Sequence, residues 1–530
     1  PEIGGTFWWQ HANKTSRLQT EVGMYHLQYH ETGGKPPNST ANPWPSRDEI
    51  IQNMRTVAGD YGLEPYCRLN TEVKRLTVVG RDKWESHYEV TTVRDDEHDV
   101  LQASGVCLFP GTLTIPTRMA YKGEDVFDGD IVYGFGDECD YEKYKGKTVC
   151  IMGGGAFAVE NVQTCVEFSV QKMFMVSRRK NLAMPRIVSW LINQSSEFIS
   201  APLALEAMAP MFDLVGVDHW HSYSVYADKT RTNVTIRQKS RFGIGDAYFL
   251  AVFFDMCEHI VSDIKRLSNN RVYLMNGKIL DDIASVIKVL GFSGDFENDK
   301  LMKTKELYGW WVNRDMRRYV VAEPLGVDSN TFSTTGFSPC ALMWAEQQIH
   351  LLHYYRDWAP VEQSNAMPIS RADVANDKPA YVVEARHGSL VSAALASLVP
   401  ALGARSLELG QLKRQKMLAA HPLDKFLEAA KREWDACVKR IQGQGYRKRV
   451  PDYPYSTEMV QAFLEKEKQE LNELQAGMLK QAAGPGGAGA VTQLPEARSA
   501  SSSPSAASRS AEEKRAAMRE RVVKARREAA

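Results

Sequence analysis

Thr148-Val149-Cys150-Ile151-Met152-Gly153-Gly154-Gly155-Ala156-Phe157-Ala158 is the stretch that decides how this chain is read. Its first five residues are apolar or β-branched without interruption, as a strand buried on both faces requires. They lead straight into G-x-G-x-x-A, a motif that carries meaning only with a strand before it and a helix after it. In such a turn Gly153 permits the tight reversal and Gly155 lets the backbone approach a diphosphate. Ala158 lets the following helix pack close to the strand. The helix start at Ala156 and Phe157 then offers unpaired N–H groups and a positive dipole end to phosphate oxygens.

Moving outward, residues 171–176 read as the second strand of the unit, ending in Ser177-Arg178-Arg179-Lys180. A site for NADH would place Asp or Glu there against the ribose 2′-hydroxyl. A serine followed by three cations suits a 2′-phosphate instead, so the expected dinucleotide is NADPH. The rival reading is a structural glycine turn followed by an exposed basic cluster. Gly484-Pro485-Gly486-Gly487-Ala488-Gly489 also satisfies G-x-G-x-x-G, but it follows no strand. Pro485 also lacks the N–H that a phosphate cradle needs, so that match is accidental.

Further from the turn, residues 48–61 predict a helix, with Ile50, Ile51, Met54, Val57, Ala58 and Tyr61 at helical spacing and Ser46 as its N-cap. Strands are expected at 72–79, 88–93 and 105–109, the last closed by Pro110-Gly111. Residues 246–266 read as a helix, 271–275 and 283–290 as strands, and 342–355 as a helix. Phe426, Leu427, Ala430, Trp434, Val438 and Ile441 predict another amphipathic helix, and residues 459–474 a further one. Residues 484–508 are rich in Gly, Ala, Ser and Pro and read as a linker. The stretch from Ser510, made of Ala, Arg and Glu, reads as a solvated helix or as disorder.

Lys plus Arg and Asp plus Glu each number 65 in the 530 residues, so no global field points to nucleic acid. The 8 cysteines form no CxxC pair, which argues against a zinc module or a disulfide framework and for a reducing, cytoplasmic setting. No metal site is expected. Residues 388–404 come nearest to a membrane span but are rich in Ala and Ser and contain Pro400. The chain opens on Pro1-Glu2-Ile3-Gly4-Gly5, which reads as the middle of a motif whose start is missing.

The surroundings of the glycine turn resemble the flavin-containing monooxygenase family, the class B flavoprotein monooxygenases with their Baeyer–Villiger relatives. Gly4-Gly5-Thr6-Phe7-Trp8-Trp9 is similar to the glycine doublet and tryptophan that lie against FAD, and Trp44-Pro45-Ser46-Arg47-Asp48-Glu49 to the opening of the next helix. Gly111 to Pro116, then Gly123, Phe127 and Gly129, resembles the linker before the NADPH domain. Asn276-Gly277-Lys278 through Val289-Leu290-Gly291-Phe292 resembles the return to the flavin domain, and Thr335-Gly336-Phe337-Ser338-Pro339 the terminal flavin contact. The resemblance implies FAD contacts at Gly4, Gly5, Trp8, Thr20, Gly111, Gly291 and Gly336. It covers residues 1–355 and departs from the family at Tyr133, which stands where F-x-G-x-x-x-H has His. The strand ends Phe109-Pro110-Gly111 and Val289-Leu290-Gly291 also depart from A-T-G. The family's first G-x-G-x-x-G would lie before residue 1.

The implied architecture is α/β, with two doubly wound dinucleotide-binding domains. The FAD domain, 1–133 and 276–360, is split around an NADPH domain at 134–275. A helical extension, 361–480, and a charged tail, 481–530, follow. The implied function is that of an NADPH- and FAD-dependent monooxygenase forming a C4a-(hydro)peroxyflavin. It would insert one oxygen atom of O2 into a small organic substrate at a soft N or S atom, as N,N-dimethylaniline monooxygenases do. The alternatives are Baeyer–Villiger oxidation of ketones, or an NADP-binding regulatory protein without flavin chemistry. Arg17, Thr20, Glu21, Arg241 and Asp246 are candidate tuners of peroxide protonation, each reading equally as ordinary loop polarity, so no catalytic acid or base is assigned. His219-Trp220-His221 and Trp310-Trp311 read as packed side chains rather than ligands.

Overall fold

The first long helix is set by its cap. Ser46 is extended, its hydroxyl accepts from the Glu49 amide, and the Glu49 carboxylate accepts in return from the Ser46 amide. Helix α1, Arg47–Asp60, follows and buries Ile50, Ile51 and Ala58 of the expected stripe, with Met54 and Val57 half-buried and Tyr61 exposed just past its end. The computed structural model of the chain describes residues 2–20, 44–79, 87–103, 115–194, 200–232, 234–238, 240, 242–293, 305–307, 310–312, 422–450 and 452–482.

Strands β1 (Glu72–Val79), β2 (His87–Arg94) and β3 (Glu97–Ala103) form an antiparallel sheet in that order. The first two fall where the sequence predicts strands; β3 was not anticipated. Its residues are mostly exposed, so it carries no alternation of apolar side chains. The signal was the turn: Asp95 and Asp96 have φ of 49° and 66°, the geometry of a two-residue hairpin. The expected strand at 105–109 lies outside the described residues, as does the expected helix at 342–355.

The central sheet is built from β4 (Asp130–Tyr133), β5 (Thr148–Met152), then helix α2 (Ala156–Glu167), and β6 (Lys172–Ser177). Helices α3 (Arg186–Gln194), α4 (Ala201–Leu214) and α5 (Asp246–Phe253) come next, and the chain then re-enters the sheet as β7 (Cys257–Val261). Strands β8 (Ile264–Ser268) and β9 (Arg271–Leu274) form an antiparallel meander before β10 (Ile283–Lys288) returns. The order is β7-β6-β5-β10-β4, and every pair is parallel. Val149, Cys150 and Ile151 are fully buried, as their unbroken apolar run requires. The α/β class and doubly wound sheet are those expected.

Two expectations are corrected. The predicted helix at 246–266 is only α5. Asp255 then turns the chain at φ 59°, and residues 257–261 pair in parallel with β6. A short apolar run suits helix or strand equally, and the open edge of β6 decided it. The sheet is also wider than the segment expected at 134–275. β4 lies before it and β10 after it, and β10 is hydrogen-bonded between β5 and β4. Of the two large parallel sheets anticipated, the described residues contain one, of five strands, beside a short parallel pair of residues 183–184 with 243–244.

Helices α6 (Leu423–Gly443) and α7 (Thr457–Ala482) appear where amphipathic helices were predicted. Rather than forming a separate layer, α6 shares the core of the central sheet. Phe426 meets Trp44 at 5.5 Å and Trp190 at 5.7 Å between ring centroids. The buried Arg186 guanidinium lies 3.9 Å from the Trp44 ring centre and 2.7 Å from Glu433 of α6. Removing this much aromatic surface from water contributes roughly 2–3 kcal/mol per ring. By contacts the chain divides into residues 1–474 and 475–530, the second described only as far as Ala482. Among the described residues no helix is long and apolar enough to cross a membrane.

Candidate functional site

Three strand ends converge on the glycine turn. The Gly153 amide donates to the Val176 carbonyl at 2.9 Å, and the Val289 amide donates to the Met152 carbonyl at 2.9 Å. Gly153 sits at φ 143°, and a Cβ there would lie 2.4 Å from the Val289 carbonyl oxygen, so only glycine fits. Gly154, the motif's variable position, is crowded less severely: its Cβ would lie 2.9 Å from the Ser177 side chain. Gly155 is the extended N-cap of α2 with no side chain to cap it, and Ala158 behind it is fully buried. The amides of Ala156 and Phe157 therefore open the helix at the crevice between β5 and β10, where the winding of the sheet reverses. That is where α/β sheets bind ligands.

Asn181 couples this turn to the basic loop, donating from Nδ2 to the Gly154 carbonyl at 2.8 Å and to Ser240 Oγ at 2.7 Å. Ser177 is buried, and its hydroxyl donates to the Arg179 carbonyl at 2.8 Å. Having spent its proton there, Ser177 Oγ must accept from His259 Nε2, 2.7 Å away. His259 Nδ1 in turn accepts from the Tyr248 hydroxyl at 3.1 Å. Burial, assisted by the Lys180 charge, pushes His259 down to about 3, so it stays neutral and the direction of this chain is fixed. The Ser177 hydroxyl, expected against phosphate, is thus hydrogen-bonded to the loop backbone and to His259.

Arg178 and Arg179 are exposed, and Lys180 is partly buried, which lowers its pKa. The Arg179 guanidinium stands 5.0 Å from the Tyr223 ring centre. All three cations border a cleft of ≈ 590 Å³ whose walls include Tyr223, Tyr226 and Val261. That volume falls within the range of small-molecule sites.

Segment 11–20 is stitched to α2. Gln19 donates to the Ala156 carbonyl at 2.8 Å and accepts from the Ile244 amide at 3.0 Å. Asn13 donates to the Gly134 carbonyl at 3.1 Å, and Ser16 donates to Glu160 of α2 at 2.5 Å. Burial pushes the Glu160 carboxyl up to about 7 against the hydrogen bonds from Ser16 and Asn13. Phe157 packs with Phe7, Phe135 and Phe292 at 6.1, 6.3 and 5.2 Å, so its side chain builds an aromatic wall and only its backbone faces the turn. Gln19, Glu160, Asn181 and His259 were missed in the sequence. Each is a lone polar residue outside any motif, and only the fold gives it a partner.

The residues expected against a flavin are only partly described. Gly4 and Gly5 have φ of 131° and 77°, and Trp8, like Met54, packs against Leu18 and Ile50. The Thr20 hydroxyl is buried without a partner among the described residues. Gly291 precedes Phe292 of the aromatic wall, and its carbonyl accepts from the Thr117 amide at 2.8 Å. Gly111, Gly336, Glu21 and Arg241 lie outside the described residues. Arg17 and Asp246 do come together, but in a cavity of ≈ 100 Å³ beneath α6, away from the glycine turn. Arg17 pairs with Glu167 at 3.6 Å, while Asp246 accepts from the Arg186 amide at 2.9 Å and the Tyr453 hydroxyl at 3.1 Å. Both serve helix packing. Tyr133 is locked into the preceding linker, accepting from the Met119 amide at 3.0 Å and lying 4.4 Å from the Arg118 guanidinium.

No family model matches the chain. The chain is 29% identical over 151 residues to a Baeyer-Villiger monooxygenase of Streptomyces coelicolor, covering 28% of this chain and 27% of that protein. It is 24% identical over 183 residues to an acetone monooxygenase (methyl acetate-forming) of a Gordonia species, covering 34% of this chain and 33% of that protein. The chain thus matches 27% and 33% of the length of these curated relatives. Among solved structures, the OTEMO complex with FAD and NADP is similar with a TM-score of 0.45 at 16% identity. That match covers 74% of this chain and 85% of that one.

Proposed function

We infer that this chain is a member of the class B flavoprotein monooxygenase family and acts as an NADPH- and FAD-dependent monooxygenase of Baeyer–Villiger type on a small ketone. The observation that carries the reading is the pairing of a glycine turn at a helix N-terminus with Arg178 and Arg179 at the end of the next strand. The two sequence relatives bear Baeyer–Villiger and acetone monooxygenase names, which favours ketones over the soft N and S atoms and the dimethylaniline-type activity expected from the sequence.

In this reading the backbone of Gly155, Ala156 and Phe157 forms the diphosphate cradle, Gly153 makes the turn that presents it, and Ala158 lets α2 pack close behind. Arg178, Arg179 and Lys180 hold the 2′-phosphate, and Ser177 holds their loop in place. Gly4, Gly5, Trp8, Thr20 and Gly291, with Gly111 and Gly336, would hold the flavin. The orphaned Thr20 hydroxyl is the described feature that best fits a polar ligand there. When bound, the nicotinamide supplies electrons and the flavin activates O2. Phe7, Phe135, Phe157 and Phe292 supply a dry aromatic wall that excludes water, and stray proton transfer with it.

The test is NADPH oxidation by the FAD-supplemented protein with a panel of cyclic ketones and thioethers, with products resolved by mass. Ester formation with NADPH consumed mole for mole is expected. Sulfoxide without ester would return the assignment to heteroatom oxygenation, and failure to bind NADPH at all would remove the enzyme reading.

A further inference from the structure

The cleft beside the basic loop contains a group that phosphate binding leaves unused. His219 opens the 3-10 turn His219–His221 and lines the same cleft as Arg178 and Arg179, with only 4% of its surface exposed. Its Nε2 lies 2.8 Å from the Leu205 carbonyl oxygen, which can only accept, so Nε2 carries the proton. Nδ1 is therefore a lone-pair acceptor, and it is buried with no partner among the described residues. Asp218, the nearest carboxylate in sequence, is turned away to His221 Nδ1 at 2.7 Å and the Trp220 amide at 2.9 Å.

A buried acceptor left unpaired is unfavourable, and such groups in native proteins call for an explanation. Turning the ring to find one would give up the hydrogen bond to Leu205, and the imidazole packs beside the Phe212 ring, 5.0 Å away at 32°. Burial lowers the pKa of His219 despite Asp218 and Asp213, which keeps Nδ1 free to accept. An occupant supplying an N–H donor on a flat ring, in the cleft that His219 lines together with Tyr223, Tyr226 and the two arginines, completes the site.

We propose that His219 reads the base of the bound dinucleotide, its Nδ1 accepting from the exocyclic amino group of an adenine whose 2′-phosphorylated ribose is held by Arg178 and Arg179. The inference rests on the NADPH reading above and deepens it by naming the residue that recognises the base. A hypoxanthine in place of adenine would turn a carbonyl oxygen toward Nδ1, setting acceptor against acceptor.

The experiment is a titration of the full chain with 2′,5′-ADP, NADP⁺ and deamino-NADP⁺, in which hypoxanthine replaces adenine. The wild type should bind NADP⁺ about tenfold more tightly than deamino-NADP⁺, the worth of one hydrogen bond made or refused in a buried site. His219→Phe should erase that ratio, and His219→Asn, which can restore an acceptor near Nδ1, should recover part of it. Arg178→Ala should weaken both dinucleotides and leave the ratio intact. Equal binding of the two by the wild type overturns the proposal without any variant, and so does a ratio retained in His219→Phe. If 2′,5′-ADP and both dinucleotides fail to bind, the NADPH reading falls and takes this proposal with it.

Discussion

Ser177 Oγ lies 2.7 Å from His259 Nε2, joining the end of β6 to the middle of its parallel neighbour β7 beneath the basic loop. The serine is thereby committed to the Arg179 carbonyl, and the loop that carries three cations is held by a residue 82 positions away. Replacing His259 with Ala should free Ser177 and weaken NADPH about tenfold, with little change for NADH. His259→Gln, which can still donate, should retain most of the affinity. Equilibrium binding of both dinucleotides measures it, and equal weakening for the two would mean the chain only supports the fold.

The same histidine makes stability sensitive to acid. Its folded pKa is depressed from 6.5 to about 3, so between those values the unfolded chain binds a proton that the folded one refuses. Its contribution is present above pH 6.5 and is lost as pH falls toward 3, at up to about 1.4 kcal/mol per pH unit. Denaturant midpoints of wild type and His259→Gln should diverge across that window, with the variant the less acid-sensitive.

Glu160 has the opposite sign. Its folded value is raised from 4.5 to about 7, so the folded protein holds a proton that the unfolded chain has released. The contribution is full below pH 4.5 and lost as pH rises through 7, on the order of 1–2 kcal/mol after allowing for partial exposure. Glu160→Gln should flatten this decline and gain on the wild type above pH 7. Identical pH profiles for the two proteins would overturn the assignment.

At the turn, Gly153→Ala places a Cβ against the Val289 backbone, whereas Gly154→Val presses on Ser177 and Asn181. The first should lower stability by about 2–4 kcal/mol, since neither backbone nor φ can yield. The second should act mainly on NADPH, weakening it at least tenfold with a smaller loss of stability. Thermal midpoints with and without NADPH separate the two effects.

Arg178→Ala should raise the KM for NADPH by roughly 10–100-fold and leave the KM for NADH nearly unchanged, because only the former carries the 2′-phosphate. Steady-state oxidation of each cofactor is the measurement. A parallel change in both would place Arg178 outside the site.

Phe426→Ala tests whether α6 is integral to the dinucleotide domain. The ring is buried between Trp44 and Trp190, so its loss should cost about 3–5 kcal/mol and shift the single unfolding transition that also reports on NADPH binding. An unchanged nucleotide-bound midpoint would make the helical extension an independent body.

The strand–turn–helix around Gly153, the capping box at Ser46 and the helical stripe from Phe426 to Ile441 could be read directly from the sequence. Their physics is local: period, cap geometry and the demand for glycine act within a few residues of one another. The resemblance carried the reading further, to a flavoprotein architecture and to residues such as Trp8 and Thr20 that no local rule would pick out. Three features were beyond such rules. β7 became a strand because the edge of β6 was open to it, and β10 entered the middle of the sheet from outside the expected domain. Glu160 and His259 became notable only through burial and through partners as far as 144 residues away, and His219, read in the sequence as a packed side chain, only through its unpaired nitrogen. A sequence determines what each segment can become on its own. Which buried polar groups are satisfied, and which are left waiting for a ligand, depends on atoms that only the folded chain brings within hydrogen-bonding distance.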